Sequence, residues 1–213
     1  MALQNLDLEE QEQLAELKAW WKQYGNLVLL TVVAASMVVA GWGGWRWYQR
    51  TQAAQASALY ETLSKAARAG DGKALRDAGG ALAEGYARTL YASMGALTAA
   101  RFHADRGELK SAKAQLQWVA ERSPSEDFRE LARLRLGALL LDEKAYDEAL
   151  KLLEPKPLEA YAAQFAALRG DLMLAKNQPA EARAAYQLAL EKSNGGSGAF
   201  RESVQMRLDA LGG

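Results

Sequence analysis

Between Gln23 and Trp45 the chain carries no charged side chain, and few features restrict a fold more. The segment from Asn26 to Trp45 reads NLVLLTVVAASMVVAGWGGW. Coiled as a helix rising about 1.5 Å per residue, a stretch of about 20 residues spans about 30 Å, the thickness of a bilayer's hydrocarbon core. The flanks agree. Trp20, Trp21 and Tyr24 precede the span and Trp42, Trp45, Trp47 and Tyr48 close it, so five of the six tryptophans stand where a bilayer meets water. Amphipathic rings favour that boundary. Lys18, Lys22, Arg46 and Arg50 bracket the span and can extend their charges outward. A core helix of a soluble protein rarely combines this length with two aromatic belts. A cleaved signal peptide would show a short basic start and an apolar run of about 7–15 residues. Here the run is longer, and the preceding tail is acidic, with Asp7, Glu9, Glu10, Glu12 and Glu16. Bulky Trp42 and Trp45 stand where small residues would mark cleavage. The segment reads as an uncleaved anchor. Lys18 and Lys22 on one side balance Arg46 and Arg50 on the other, so the positive-inside rule leaves the orientation tied.

The chain beyond the anchor is helical by composition. Alanine and leucine abound and only 4 prolines occur in 213 residues, a bias that favours helices. Lys plus Arg number 26 and Asp plus Glu 26. That balance offers no concentrated basic face and therefore no nucleic-acid partner. The absence of cysteine excludes disulfides, thiolate metal sites and thiol nucleophiles. Trp45 to Ala69 holds neither Gly nor Pro, so one continuous helix is expected to leave the membrane and become the first helix of the next domain. Gly70-Asp71-Gly72 should end it, and a weaker helix is expected around Lys73 to Glu84.

Beyond this point the pattern recurs at about 34 residues, the period of tetratricopeptide repeats. Three units align: 93–126, 130–163 and 163–196. Each reads as a helix, a short polar turn and a second helix. The position that must be small, where the two helices cross, is Ala112, Ala149 and Ala182. Twelve residues earlier stand Ala100, Gly137 and Gly170. The large side chain packing from the second helix is Leu116, Leu153 and Tyr186. Helices approach within about 8–10 Å only over small contact residues, and one hairpin cannot bury its own apolar face, so neighbours must stack. Asn194 to Gly198 reads as a flexible joint, and 199–211 as an amphipathic capping helix. The expected class is therefore all-α: a single N-terminal transmembrane helix followed by a TPR-like α-solenoid.

Short motifs then add a resemblance. Trp21-Lys22-Gln23-Tyr24-Gly25-Asn26 opens the span and Gly44-Trp45-Arg46-Trp47-Tyr48 closes it. Gly107-Glu108-Leu109-Lys110-Ser111-Ala112, Leu134-Arg135-Leu136-Gly137, Leu168-Arg169-Gly170-Asp171 and Val204-Gln205-Met206-Arg207-Leu208 come after them in order. In these the chain resembles the YfgM family, the ancillary subunit of the bacterial SecYEG translocon, over nearly its whole length. The resemblance implies a cytoplasmic tail at 1–24, a span at 25–45 and a periplasmic domain at 46–213, and it decides the orientation that the charges leave tied. It implies an inner-membrane protein associated with SecYEG and with the membrane-anchored periplasmic chaperone PpiD. Emerging secreted polypeptides are then the expected clients, beside membrane lipid around the anchor. It supplies no active-site residue.

The residues themselves offer no catalytic constellation, cofactor site or metal site. His103 is the only histidine and falls on the core side of its helix, in the slot that Leu140 and Met173 fill in the next units. Gly195-Gly196-Ser197-Gly198 lacks the Lys-Ser/Thr of a phosphate loop. The better candidate is a protein-binding groove along the first helices of the units: Met94, Leu97, Arg101 and Asp105, then Leu131, Leu134, Leu141 and Asp142, then Asp171 and Leu174. The expected function is a membrane-tethered binding module at the Sec channel. The alternative is a scaffold for another envelope assembly, such as division or cytochrome maturation. A membrane hydrolase finds no support in any residue cluster.

Overall fold

The computed structural model describes residues 8–193 and 198–212; residues 194–197 of the expected joint lie outside them. Among the described residues there are nine α-helices, one single-turn 3-10 helix and no strand. The chain divides into two compact units, Met1–Thr51 and Gln52–Gly213. Helix α1 runs Leu8–Ala69 without interruption.

In the first unit α1 carries the apolar segment. An 18-residue window there has a mean hydropathy of 2.0, and none of it is buried by protein. Leu27, Leu30, Val38 and Val39 stand exposed. Thr31 and Ser36 satisfy their hydroxyls by donating to the carbonyls of Leu27 and Val32, both at 2.8 Å. Polar side chains folded back in this way suit a helix with no water beside it. Among the described residues, this is the one helix long and apolar enough to cross a membrane.

The second unit is built from hairpins. The end of α1 pairs with α2 (Gly72–Gly85), α3 (Leu90–Asp105) with α4 (Leu109–Arg122), α5 (Glu126–Asp142) with α6 (Tyr146–Leu152), and α7 (Ala162–Ala175) with α8 (Pro179–Lys192). A last helix, α9, spans Gly198–Asp209. One turn serves all four hairpins. Gly70, Gly107, Lys144 and Asn177 each take a positive φ between 60° and 74°. The residue after each donates its N–H back to a carbonyl five residues earlier: Asp71 to Ala66, Glu108 to His103, Ala145 to Leu140 and Gln178 to Met173, at 2.8–2.9 Å. This satisfies carbonyls that a helix end would leave unpaired.

Three core clusters succeed one another along the stack. The first joins Ala56 and Leu63 of α1 to Leu75, Leu82 and Phe102. The second runs through Leu116, Leu136, Leu140 and Leu172. The third gathers Ala182, Tyr186, Ala189 and Val204. The crossing alanines Ala112, Ala149 and Ala182 are wholly buried. The glycines facing them in sequence have steric reasons. A Cβ on Gly137 would stand 2.8 Å from Leu168 Cδ2, and one on Gly170 would run into the Tyr186 ring.

Two features depart from the sequence reading. The α1–α2 hairpin is a fourth unit of the same construction, but Leu63 and Leu75 fill the places where the other units have small residues. Helix α6 is also short, at 7 residues, so Leu153 packs from just beyond its end rather than from within it. Pro155 and Pro157 lie downstream, and Arg133 holds the irregular segment. Its Nη2 donates to the carbonyls of Leu152 and Pro155, each at 2.9 Å. Its Nη1 grips both Glu130 oxygens at 2.8 and 2.9 Å, and its guanidinium lies 4.8 Å from the Phe165 ring centre.

Because Tyr186 is itself enclosed, it cannot move aside for a methyl group. Gly170→Ala is expected to lower stability by about 1–3 kcal/mol, as overpacked cores do, measured by urea unfolding of the detergent-solubilised chain. Unchanged stability would mean that the α7–α8 contact is looser than described.

Candidate protein-binding groove

Helix α4 packs against both α3 and α5, and a groove of about 500 Å³ is lined by residues of all three. Ala100 and Ala104 on α3 and Ala138 on α5 keep the walls low, while Leu109, Leu116 and Leu139 form the apolar lining behind. Three charged residues line it: Arg101, Arg135 and Asp142. Arg101 Nε lies 3.7 Å from Asp105 on its own helix. Arg135 is exposed and forms no ion pair among the described residues. The arrangement is an apolar trough with charged margins, the usual character of a peptide-binding surface.

The residues expected from sequence divide accordingly. Arg101 and Asp142 line this groove, with Asp105 beside Arg101. Leu97 is only 7% exposed and belongs to the core. Met94 is half-buried, and Leu131, Leu134 and Leu141 are half-buried against the second core cluster. Leu174 is 43% exposed, farther along the stack. Asp171 is engaged internally. It accepts the Tyr186 hydroxyl at 2.8 Å and binds Arg207 of α9 through both oxygens at 2.8 and 2.9 Å. Arg183 closes the same end by donating to the carbonyls of Leu211 and Gly212. Asp171 thus fastens the capping helix to α7, and a groove role would have to share it with that task. Arg135 is absent from the residues expected from sequence. It stands one helical turn before Ala138, the counterpart of Arg101 in the next unit, and that offset is the signal that marks it.

His103 is buried at 5% exposure, its Nδ1 2.6 Å from Glu108 Oε2. Among the described residues no group of three or more His, Asp or Glu side chains is placed to hold a metal ion.

Hairpins with recurrent turns, stacked cores and an apolar trough along their first helices define a tetratricopeptide-like helical-repeat protein with one apolar N-terminal helix. The model of the tetratricopeptide repeat-like domain family matches residues 18–213. A Neisseria gonorrhoeae protein is 32% identical over 209 residues, covering 96% of this chain and 98% of its own length. A Haemophilus influenzae protein is 28% identical, covering 96% and 98%, and one from Escherichia coli 28%, covering 95% and 96%. Each of these relatives is named an ancillary SecYEG translocon subunit. The chain belongs to this tetratricopeptide repeat-like family, the YfgM family. No solved structure matches it.

The buried Tyr186 gives the capped end a pH signature. Burial first, and then the hydrogen bond to Asp171, push its phenol well above the ordinary value. The folded state therefore holds this proton more tightly than the unfolded state does. The stability it contributes is intact below the unfolded value of about 10 and is lost as pH rises beyond it. Unfolding midpoints should fall above about pH 10 and less steeply for Tyr186→Phe; identical alkaline slopes would count against the assignment.

Proposed function

We propose that this protein is a membrane-anchored protein-binding module associated with the Sec translocon, which assists periplasmic chaperoning of newly secreted proteins together with a PpiD-like chaperone. The observation that carries the reading is the pairing of an apolar groove between α3 and α5 with an unburied apolar helix, in a chain matched over 95–96% of its length by proteins named as SecYEG subunits. Residues 1–24 then form a cytoplasmic tail, 25–45 cross the inner membrane, and 46–213 occupy the periplasm. The function is binding, not catalysis. Tethering raises the concentration of the groove near emerging polypeptides without requiring a strong contact, and a shallow trough with mixed charge suits many sequences held briefly.

Purification of the detergent-solubilised chain should enrich SecYEG subunits and a PpiD-like chaperone. Their absence, with a division or cytochrome-maturation complex enriched instead, would overturn the reading. A photoreactive amino acid replacing Ala138 should crosslink to secreted chains during export.

A reporter active only in the periplasm, fused after Leu211, should give signal. Signal from a cytoplasmic reporter at the same point would reverse the orientation.

A further inference from the structure

A second cleft, of about 390 Å³, opens between α2 and α4 above a different face of α3. Its α3 floor is glycine and alanine. At 100° per residue, the α3 positions lining this cleft lie roughly a third of a turn from those lining the groove, so the two surfaces are separate.

Gly79 and Gly80 form part of the α2 wall. Glycine inside a helix costs about 1 kcal/mol relative to alanine. Gly95 has a steric reason to bear that cost, since a Cβ there would stand 2.8 Å from Leu82 Cδ1. Gly80 has no such reason: a Cβ built on it meets nothing within 4 Å. At Gly79 the nearest atom would be Leu63 Cδ1 at 3.6 Å, an ordinary contact. Packing asks for a small residue at Gly79, beneath Leu63, but it does not require a glycine at Gly80. The missing side chain of Gly80 preserves the open volume of the cleft.

The polar groups gather at one end. Gly72 lies by the Phe102 ring and Leu82 by Gly95, so α2 runs antiparallel to α3 and brings Arg76 to the end where His103 stands. Arg76 is exposed, and neither donates a hydrogen bond nor forms an ion pair among the described residues. The neighbouring carboxylate, Asp77, is held by Lys73 at 2.8 Å. Among the described residues no Asp or Glu lines the cleft. His103 Nδ1 is engaged by Glu108 at 2.6 Å, which leaves Nε2 as the ring nitrogen free to meet a ligand. Every fully buried side-chain nitrogen or oxygen among the described residues has a partner. Nε2 has none, so it is open to the cleft that the ring lines. Helix α4 runs back from the turn at Gly107, which carries Gln115 and then Trp118 progressively away from this polar end.

We propose that the cleft docks a short extended segment of a partner protein, with an acidic side chain on Arg76, a backbone group hydrogen-bonded to His103 Nε2, and an apolar side chain on Trp118 and the glycine-alanine floor. Charge complementarity selects the acid, because the cleft offers an unpaired cation and no carboxylate. The apolar floor and Trp118 select a peptide over a simple anion. From Ala92 to His103 the floor is about 16 Å long, room for about five extended residues.

The test uses the full chain in lipid nanodiscs and a fluorescein-labelled, amide-capped alanine peptide bearing Glu and Leu one residue apart. Two control peptides replace Glu with Gln, one capped and one with a free C-terminal carboxylate. Saturable binding of the Glu peptide is expected, about two- to fivefold tighter than the capped Gln peptide, as an ion pair to an exposed cation implies. Arg76→Gln should reduce the Glu peptide to the Gln level. Gly80→Leu should block binding while raising the thermal midpoint, since leucine is the better helix former, which separates occlusion from misfolding. Equal binding of both capped peptides, no binding of the Glu peptide, or full binding by Gly80→Leu would overturn the proposal. Binding by the free-carboxylate peptide alone would overturn it in favour of a chain terminus. None of these outcomes touches translocon association, which is read by purification.

Discussion

The helical domain depends throughout on a reversal of direction made within a few residues. At Gly70, Gly107, Lys144 and Asn177 the backbone enters the left-handed region, and the next amide closes back on the preceding helix. A hairpin so tight allows its two helices to meet closely, and where they do, as in the three later hairpins, the contact dictates the side chains. Ala112, Ala149 and Ala182 sit five residues past their turns, where any larger group would push the pair apart. The turn is common to all four hairpins, whereas the small residues mark the three in which the helices cross closely; after Gly70 the equivalent place is Leu75. Glycine takes this conformation freely, whereas lysine and asparagine at the second pair of turns do so against a cost of about 1–2 kcal/mol, which the packing around them must offset.

The same dependence explains what is legible in the sequence. The anchor is, because an uncharged run between aromatic belts has few other meanings. The three later hairpins are, because small residues recur at Ala112, Ala149 and Ala182, spaced 37 and 33 residues apart. The first hairpin escapes the same search: Leu63 and Leu75 hold the equivalent places, and there the helices meet through Leu63 lying over Gly79. The turn alone marks it as kin. In the candidate groove, the first-helix positions that face the groove of a tetratricopeptide stack point to Arg101 and Asp142. It cannot tell that Leu97 turns inward or that Asp171 has a partner 36 residues away in Arg207. Long-range polar partners leave no period in a sequence. Arg133 illustrates the point, since one side chain on α5 ends α6, orders the segment beyond it and lies against α7.

The domain distributes its polar groups unevenly. The far end is fastened by Asp171, Arg207 and Arg183, and the middle by Arg133. Ion pairs also join successive hairpins at the surface, Lys113 with Glu143 at 2.7 Å and Lys176 with Asp147 at 2.6 Å. Such pairs at the surface contribute little individually, but they fix the register of neighbours whose apolar contacts alone would allow sliding. By contrast, Arg76 and Arg135 beside the two open surfaces are committed to no ion pair among the described residues. A protein that works by holding other proteins gains from keeping those two cations free.

Helix α3 is walled by the groove on one flank and by the cleft on another. A ligand that prefers one position of this helix changes the energy of occupying the opposite flank, and the influence is necessarily equal in both directions. Helix α3 is 16 residues long, and its enclosed side chains include Ala92, Ala96, Ala99 and Ala100. Two occupants on this one element would reinforce or exclude each other to the extent that each prefers a different position of it. A handover, in which arrival on one side loosens what is held on the other, needs nothing more than that shared helix.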